Sequence, residues 1–505
     1  MKISLISPYP NLTSFGLRTI SACLKQGGHQ TQMFFLPDPM GNVYLEDVGN
    51  RYSDEVLDQV ARLCVASDLI GITLMTNFFE SGVRITRRLK EKLKTPIIWG
   101  GIHPTIRPEE SLQYADIVCF GEGDEAVVEL AQKMEEGKDY YQVKNFWFNK
   151  NGQGIIRNEV RPLSQNLDSI PAPDYGLDDS YLLHDNVLCK LDKKLLGKAL
   201  RAVSLFPDKI GYQTMSSRGC PHNCTYCCNS SLRNLYKGQR YVRWRSREHV
   251  IEELLRIKKE MEFVDFIWFS DDSFFARKTE EIEKFSLLYK EKIGLPFFCL
   301  GSPMTINEEK MEALIDAGLY CIQMGLETGS SRIQAIFNRK YMPNEKMLKA
   351  AKIINKYNHK MLPPHYDLII DVPYETDEDK LDTLKLILDL PKPYNLQPFS
   401  LVIYPETELY IMAEKDGLIK DEKIQIYNKM YSTREENYLN LLIVMCKNGK
   451  FPHPLLRVLI SKPALLLLNN RFMKTINKWL FIFAKNVYRA LQNLTPKRKV
   501  ALREG

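Results

Sequence analysis

The sequence lacks a clean membrane-spanning run. Its markedly apolar stretch, Leu455 to Leu468, is interrupted by Arg457, Lys462 and Pro463. The start, MKISLISPYP, holds one lysine and a short apolar run, and reads as a first buried strand rather than a secretory leader. Eleven cysteines are an odd number, and most stand singly, as at Cys23, Cys64, Cys119, Cys299 and Cys321. This excludes a disulfide scaffold and implies a reducing, low-oxygen interior. No GxGxxG nucleotide fingerprint occurs. Charge of either sign is weak: 69 basic against 62 acidic residues leave a net charge of +7, which permits an anionic partner without arguing for nucleic acid. An apolar share of 44% and a charged share of 26% leave no room for extended disorder, and 505 residues suffice for two or three domains.

What the sequence does contain is Ser217-Arg218-Gly219-Cys220-Pro221-His222-Asn223-Cys224-Thr225-Tyr226-Cys227-Cys228, with three cysteines spaced C-x3-C-x2-C. Three thiolates so close can hold three irons of a cubane and leave the fourth open to a chelating small molecule. A zinc knuckle would need a fourth ligand; Cys228 or His222 could be nominated, yet neither follows the usual paired spacing. The motif resembles that of the radical S-adenosylmethionine (SAM) family, which Cys220, Cys224, Tyr226 and Cys227 match position by position. The resemblance implies a [4Fe-4S] cluster on Cys220, Cys224 and Cys227. It also implies reductive cleavage of bound SAM to methionine and a 5'-deoxyadenosyl radical, fed by a reductant such as ferredoxin or flavodoxin.

Residues 1–150 alternate short apolar strands with helices of ten or more residues, the pattern of a doubly wound, Rossmann-like parallel sheet. Ligands bind such sheets at the carboxyl ends of the strands. Three turns stand there: Thr73 to Asn77, Gly100-Gly101-Ile102-His103-Pro104 and Gly121-Glu122-Gly123-Asp124. These turns resemble the cobalamin-binding domain that precedes the catalytic domain in one radical SAM subgroup. The resemblance makes Thr73, Gly100, Gly101, His103, Gly121 and Gly123 cobalamin-binding candidates. The D-x-H-x-x-G of other cobalamin modules is missing, so His103 is read as a loop-shaping donor near the corrin or nucleotide tail more than as a cobalt ligand. The rival reading is a degenerate domain that kept the fold and lost the cofactor.

Residues 151–204, rich in proline at Pro162, Pro171 and Pro173, read as a linker. From 205 to 410, six strands alternate with helices, as in the partial (β/α)6 barrel that the resemblance predicts, with the active site on the loops after the strands. Asp272, in F-x-D-D-x-F, and Glu327, in G-x-E-(S/T)-G, resemble family segments near SAM; either could instead cap the next helix. Arg245 suits the SAM carboxylate or a cofactor phosphate through its planar fork, or a domain seam. Asp371 and Tyr374, and then Glu406, stand where the family commonly has glycine. Residues 411–505 read as a mostly helical region. Between Phe472 and Leu491 an apolar stripe opposes Lys474, Lys478, Lys485 and Arg489, a basic amphipathic helix that either closes a domain or lies on an anionic membrane.

Taken together, the resemblance implies a cytoplasmic, low-oxygen radical SAM methyltransferase, peripheral to the membrane if that last helix lies on it. The substrate radical would take a methyl group from methylcobalamin at an unactivated carbon, and the substrate would be a small molecule, a lipid-like molecule or a peptide. Alternatives are a cobalamin-binding cyclase, oxidase or rearrangement enzyme, and a non-catalytic iron-sulfur electron-transfer module. Modification of transfer RNA is disfavoured because neither the amino-terminal cluster domain nor the terminal β barrel of those enzymes is evident.

Overall fold

Short β-branched and apolar runs, many closed by glycine, asparagine or proline, set the strand positions. The computed structural model describes residues 1–9, 12–37, 52–150, 154–206, 208–432 and 434–470, with residues 473, 476 and 479 beyond them. The chain divides into two units. The first joins Met1–Val264 to Ile403–Met430; the second joins Asp265–Val402 to the chain from Tyr431 onward.

In the first unit, β1 (Lys2–Ser7), β2 (Gln30–Phe35), β3 (Leu69–Thr73), β4 (Ile97–Gly100) and β5 (Ile117–Cys119) run parallel in the spatial order 5-4-3-1-2. Ile3 lies beside Thr31 on one side and Leu69 on the other. The chain leaves β2 and crosses β1 to reach β3, so the winding reverses between β1 and β3, and such a reversal is where open sheets hold ligands. The amphipathic helices Phe15–Gln26, Asp54–Cys64, Phe79–Lys92 and Asp124–Glu135 fall where their apolar periodicity places them.

The expected linker does more than connect. β6 (Phe146–Asn149) and β7 (Ile155–Arg157) form an antiparallel hairpin on β5, with residues 151–153 of its turn outside the described residues. β8 (Ser180–His184) pairs parallel with β2, β9 (Val187–Lys190) returns beside it, and the helix Lys193–Ala202 follows. The hairpin agrees with the turn that Asn149-Lys150-Asn151-Gly152 suggests between a short polar pair of strands, whereas prolines 162, 171 and 173 hide β8 and β9, since they break periodicity just ahead of strands only four or five residues long. The proline segment itself is pinned to the domain. Arg18, fully buried, donates to the Asp174 carbonyl at 2.8 Å and stacks on Tyr175 at 3.9 Å.

Later in the first unit come β10 (Gly211–Thr214) and the short antiparallel pair β11 (Ser217–Arg218) and β12 (Arg243–Trp244). The second unit holds β13 (Phe266–Phe269), β14 (Phe297–Gly301), β15 (Leu319–Glu327), β16 (His365–Ile370) and β17 (Asn395–Ser400). These are parallel and in sequence order, with helices between them. All six strands expected of the partial barrel are present. Beyond them the described residues are helical, at Tyr438–Met445, His453–Leu459 and Lys462–Leu468. The amphipathic helix expected over Phe472–Leu491 lies outside the described residues except at positions 473, 476 and 479. Among the described residues no helix is long and apolar enough to cross a membrane.

Candidate active site

The strand ends at the winding reversal carry the first group of candidates. After β1, Tyr9 shares a 3.2 Å hydrogen bond with Thr73, the last residue of β3. Gly101 adopts φ +104°, and a Cβ there would lie 2.8 Å from the Leu74 carbonyl oxygen, so only glycine lets the two turns approach. At Gly100, by contrast, an added Cβ would meet only the Cys119 Cβ at 3.7 Å; no protein neighbour demands glycine, and the space is left beside the strand end. Tyr9 escaped the sequence reading because nothing local distinguishes it; only the pairing of β1 with β3 brings it to Thr73.

His103 is wholly buried, with Nδ1 3.3 Å from the Thr76 hydroxyl and its ring 4.8 and 5.8 Å from those of Phe79 and Tyr427, which also touch each other at 5.2 Å. Burial, helped by the charge of Arg107, pushes its pKa down to about 3, so the ring is neutral. Glu110, 3.7 Å from Nε2, accepts from the Tyr427 hydroxyl at 2.7 Å. Tyr427 comes from the returning segment 403–430, which also places Glu422 3.0 Å from Arg107.

The third turn faces the cluster loop. Gly121, at φ +80°, leaves room for the Tyr236 ring, whose hydroxyl accepts from the Glu122 N–H at 2.8 Å. Gly123 leaves room for the Cys119 sulfur, 3.1 Å from where a Cβ would stand. Arg218 donates to Asp124 at 2.6 and 3.0 Å and to Glu122 at 3.1 Å, and Arg243, paired with Arg218 across β11 and β12, also donates to Glu122. Burial opposes the charges, but the attraction wins: the Asp124 pKa falls and that of Arg218 rises, so both stay ionised.

Cys220, Cys224 and Cys227 lie between β11 and the helix Cys228–Leu235, Cys224 buried and the others half-buried, with Tyr226 half-buried among them. Gly219 turns the chain at φ +86°, where a Cβ would come 2.6 Å from the Tyr241 carbonyl oxygen. Cys227 occupies the N-cap of the helix, where the helix dipole favours negative charge on a thiolate or cluster. The Asn229 amide donates toward its sulfur at 3.7 Å, and Tyr241 in turn donates to Asn229 at 2.7 Å. The returning segment fastens the loop from outside: Leu409 N–H donates to the Thr225 carbonyl at 2.9 Å and Asn223 to Glu408 at 3.3 Å. Among the described residues no three His, Cys, Asp or Glu side chains converge on a single ion; a cubane asks each thiolate for a different iron.

Arg245 is buried, with its fork 2.6 Å from Glu253 and donating to the Met215 carbonyl at 3.0 Å and to His249 at 3.1 Å. Ser246 caps the following helix, accepting from the His249 N–H at 3.1 Å.

In the second unit, Asp271 is fully buried and Asp272 is exposed after β13. Glu327 ends β15 in a left-handed conformation, φ +69°, at a register shift against β16. Its carboxylate folds back over Gly325, occupying the place a Cβ would take, so the glycine of G-x-E exists to make room for the acid. Arg339 donates to the Gly325 carbonyl at 2.7 Å and stands 3.9 Å from Glu327. Helix capping falls to Ser330 instead of Glu327. Gly329 lets the helix Asp377–Asp389 approach, with the Asp382 carbonyl oxygen 2.5 Å from a notional Cβ. Beside Glu327 on β16, Asp367 accepts from Gln323 at 2.7 Å, and burial first, then the charge of Glu327, raises its pKa to about 8.

Residues 1–131 match the B12 binding domain, and residues 214–387 match the Radical SAM superfamily. This is a B12-binding radical SAM enzyme. It is 28% identical over 402 residues to an uncharacterised methyltransferase of Pyrococcus horikoshii, a match covering 75% of this chain and 79% of that one. It is 23% identical to the bacteriochlorophyllide d C-8(2)-methyltransferase of Chlorobaculum tepidum, with 72% of each chain covered. In fold, the B12-binding radical SAM enzyme is similar to the methyltransferase TsrM of Kitasatospora setae, with a TM-score of 0.64, 14% identity and coverage of 82% of this chain and 76% of that one. It is also similar to the cobalamin-dependent radical enzyme OxsB, with a TM-score of 0.57, 17% identity and coverage of 84% and 55%. A [4Fe-4S] cluster, SAM and cobalamin are the cofactors of this B12-binding radical SAM enzyme.

Proposed function

We propose that this enzyme is a C-methyltransferase acting at an unactivated carbon. The observation that carries the reading is that the Pyrococcus, Chlorobaculum and Kitasatospora proteins, whose likeness extends over more than two thirds of this chain, are methyltransferases by name. In this reading Cys220, Cys224 and Cys227 hold the cluster, with Tyr226 beside it. Glu327 and Asp272 meet the SAM amine, a pairing that favours the charged form of each partner. Thr73, Gly100, Gly101, His103, Gly121 and Gly123 shape the cobalamin site, where the open space at Gly100 fits a bulky ligand pressed against backbone. When bound, the cluster and SAM supply a carbon radical and the cobalamin supplies the methyl group.

The chain's own residues hold, orient and exclude water. Neutral His103, clustered with Phe79 and Tyr427 and bonded to Thr76, links the turns after β3 and β4 without adding charge. Arg218 ties the start of the cluster loop to the turn after β5. Arg245, committed to Glu253, supports the strand before the cluster loop through the Met215 carbonyl. Electrons would come from a one-electron donor such as ferredoxin or flavodoxin, and the substrate would be a small molecule, lipid-like molecule or peptide. The test is anaerobic incubation of the reconstituted protein with hydroxocobalamin, methyl-labelled SAM and titanium citrate. Release of S-adenosylhomocysteine alongside 5'-deoxyadenosine supports methyl transfer; 5'-deoxyadenosine alone selects a cyclase, oxidase or rearrangement enzyme.

A further inference from the structure

Charge is unevenly spread along the chain. Residues 1–446 hold 56 basic and 61 acidic residues, whereas residues 447–503 hold 13 lysines and arginines and no aspartate or glutamate. A net cation of that size in one terminal stretch is a footprint for an anionic surface.

The described helices of this stretch, His453–Leu459 and Lys462–Leu468, are fastened to the second unit at a few points. Leu456 is fully buried, the Tyr438 hydroxyl donates to the Leu459 carbonyl at 3.0 Å, and Asn469 donates to Asp377 at 2.9 Å. Several large apolar side chains are left in water: Val458 is 62% exposed, Leu466 79%, Leu467 69% and Trp479 69%, while Leu459, Ile460, Leu465 and Leu468 are half-buried. Single exposed leucines are ordinary, but adjacent Leu466 and Leu467, with Val458 and a tryptophan exposed in the same stretch and exposed Arg457 and Lys462 among them in sequence, mark a contact surface.

We propose that this carboxyl-terminal region docks on a lipid bilayer rich in anionic headgroups, lying on the surface without crossing it. The combination selects that partner. Anionic headgroups answer the cations, the acyl boundary takes up the leucines, and tryptophan favours the interface between them. A nucleic acid would satisfy the cations and leave the leucines in water. A second copy of this chain would cover the leucines but bring 13 cations against 13. No described helix is long enough to span, consistent with a peripheral attachment. The proposal does not depend on the reaction assigned above.

Anaerobically purified full-length protein is to be sedimented with vesicles of phosphatidylcholine alone and with vesicles containing about a third phosphatidylglycerol. Binding to the anionic vesicles is expected to be about tenfold tighter or more and to weaken as salt is raised. The pair Leu466→Glu and Leu467→Glu, and separately Arg457→Glu and Lys462→Glu, should each weaken it about tenfold. Cluster content and melting temperature should stay unchanged in these variants, because all four side chains are exposed or half-exposed and none belongs to the cofactor sites. Equal binding to both vesicles, or indifference to the leucine pair, overturns the proposal. So does retention on duplex DNA or RNA in preference to vesicles, or a dimer that the leucine variant dissolves while vesicles bind neither protein.

Discussion

Arg218, two residues ahead of Cys220, grips the carboxylate of Asp124 with hydrogen bonds of 2.6 and 3.0 Å. The cluster loop is thereby fixed to the first turn of the helix Asp124–Glu135 by a pair with only 20% and 11% of its side-chain surfaces exposed. Removing one partner strands a charge in a poorly hydrated place. Arg218→Ala or Asp124→Ala is expected to lower stability by about 3–5 kcal/mol, whereas replacing both by apolar residues should recover much of it. Urea melts of the single and double variants check this, and equal losses in all three would contradict it.

Three cysteines, and not four, should matter for metal. Cys220→Ala, Cys224→Ala and Cys227→Ala should each lose most of the reconstituted iron, while Cys228→Ala, at the first helical position, should keep it. Iron and sulfide analysis after anaerobic reconstitution gives the answer; loss in the Cys228 variant would reassign the ligands.

Gly325 and Glu327 act as one unit, since the acid rests where the glycine lacks a side chain. Gly325→Ala should push the carboxylate away and weaken SAM binding about tenfold or more, as should Glu327→Gln. Equilibrium dialysis with labelled SAM measures it. If Gly325→Ala binds SAM like the parent, Glu327 does not contact SAM from this position.

Asp371 and Glu406 adopt φ +59° and +58°, so the backbone keeps the left-handed conformation that glycine would take at these places. Asp371 accepts from the Asn440 amide at 2.6 Å and the Glu435 N–H at 3.1 Å, whereas Glu406 gains only a 3.5 Å approach to Arg107. Asp371→Gly should therefore cost about 1–2 kcal/mol despite relieving the strain, and Asp371→Ala about 1 kcal/mol more. Glu406→Gly should be neutral or slightly stabilising. Denaturant midpoints that rank Asp371→Ala above Asp371→Gly would refute the account.

Two buried acids should make stability fall as pH rises from about 4 to about 8. Burial, reinforced by Glu327, raises Asp367 to about 8, and burial raises Glu375 to about 8 as well. Each group binds a proton more tightly folded than unfolded. The contribution is complete below about pH 4 and is lost as pH rises through about 8, at up to about 1.4 kcal/mol per pH unit and group. Asp367→Asn should gain on the parent protein between pH 5.5 and about 8.5; parallel curves in urea melts would leave Asp367 with no such shift.

Much of this was legible in the chain. Six short apolar runs between helical stretches became the six strands of the partial barrel, and the cysteine spacing led to the cofactor. Motif departures at Asp371 and Glu406 were visible too, though not their reason, because Asn440 and Arg107 lie far away in sequence. The strands at Ser180–His184 and Val187–Lys190 were not legible: five and four residues are too few for a period to show beside prolines. Nor was the grip of Arg218 on Asp124, since 94 residues separate them and only the tertiary fold of the first unit brings the turn after β5 to the cluster loop. Tyr427 over His103 was invisible for the same reason.

The segment Ile403–Met430 returns to the first unit only after the whole second sheet has been made. A ribosome therefore releases the three cysteines nearly two hundred residues before it releases Glu408 and Leu409, which fasten their loop. Until those residues emerge, the nascent cluster loop lacks both of these fastenings, and it gains them only after the last barrel strand has been made.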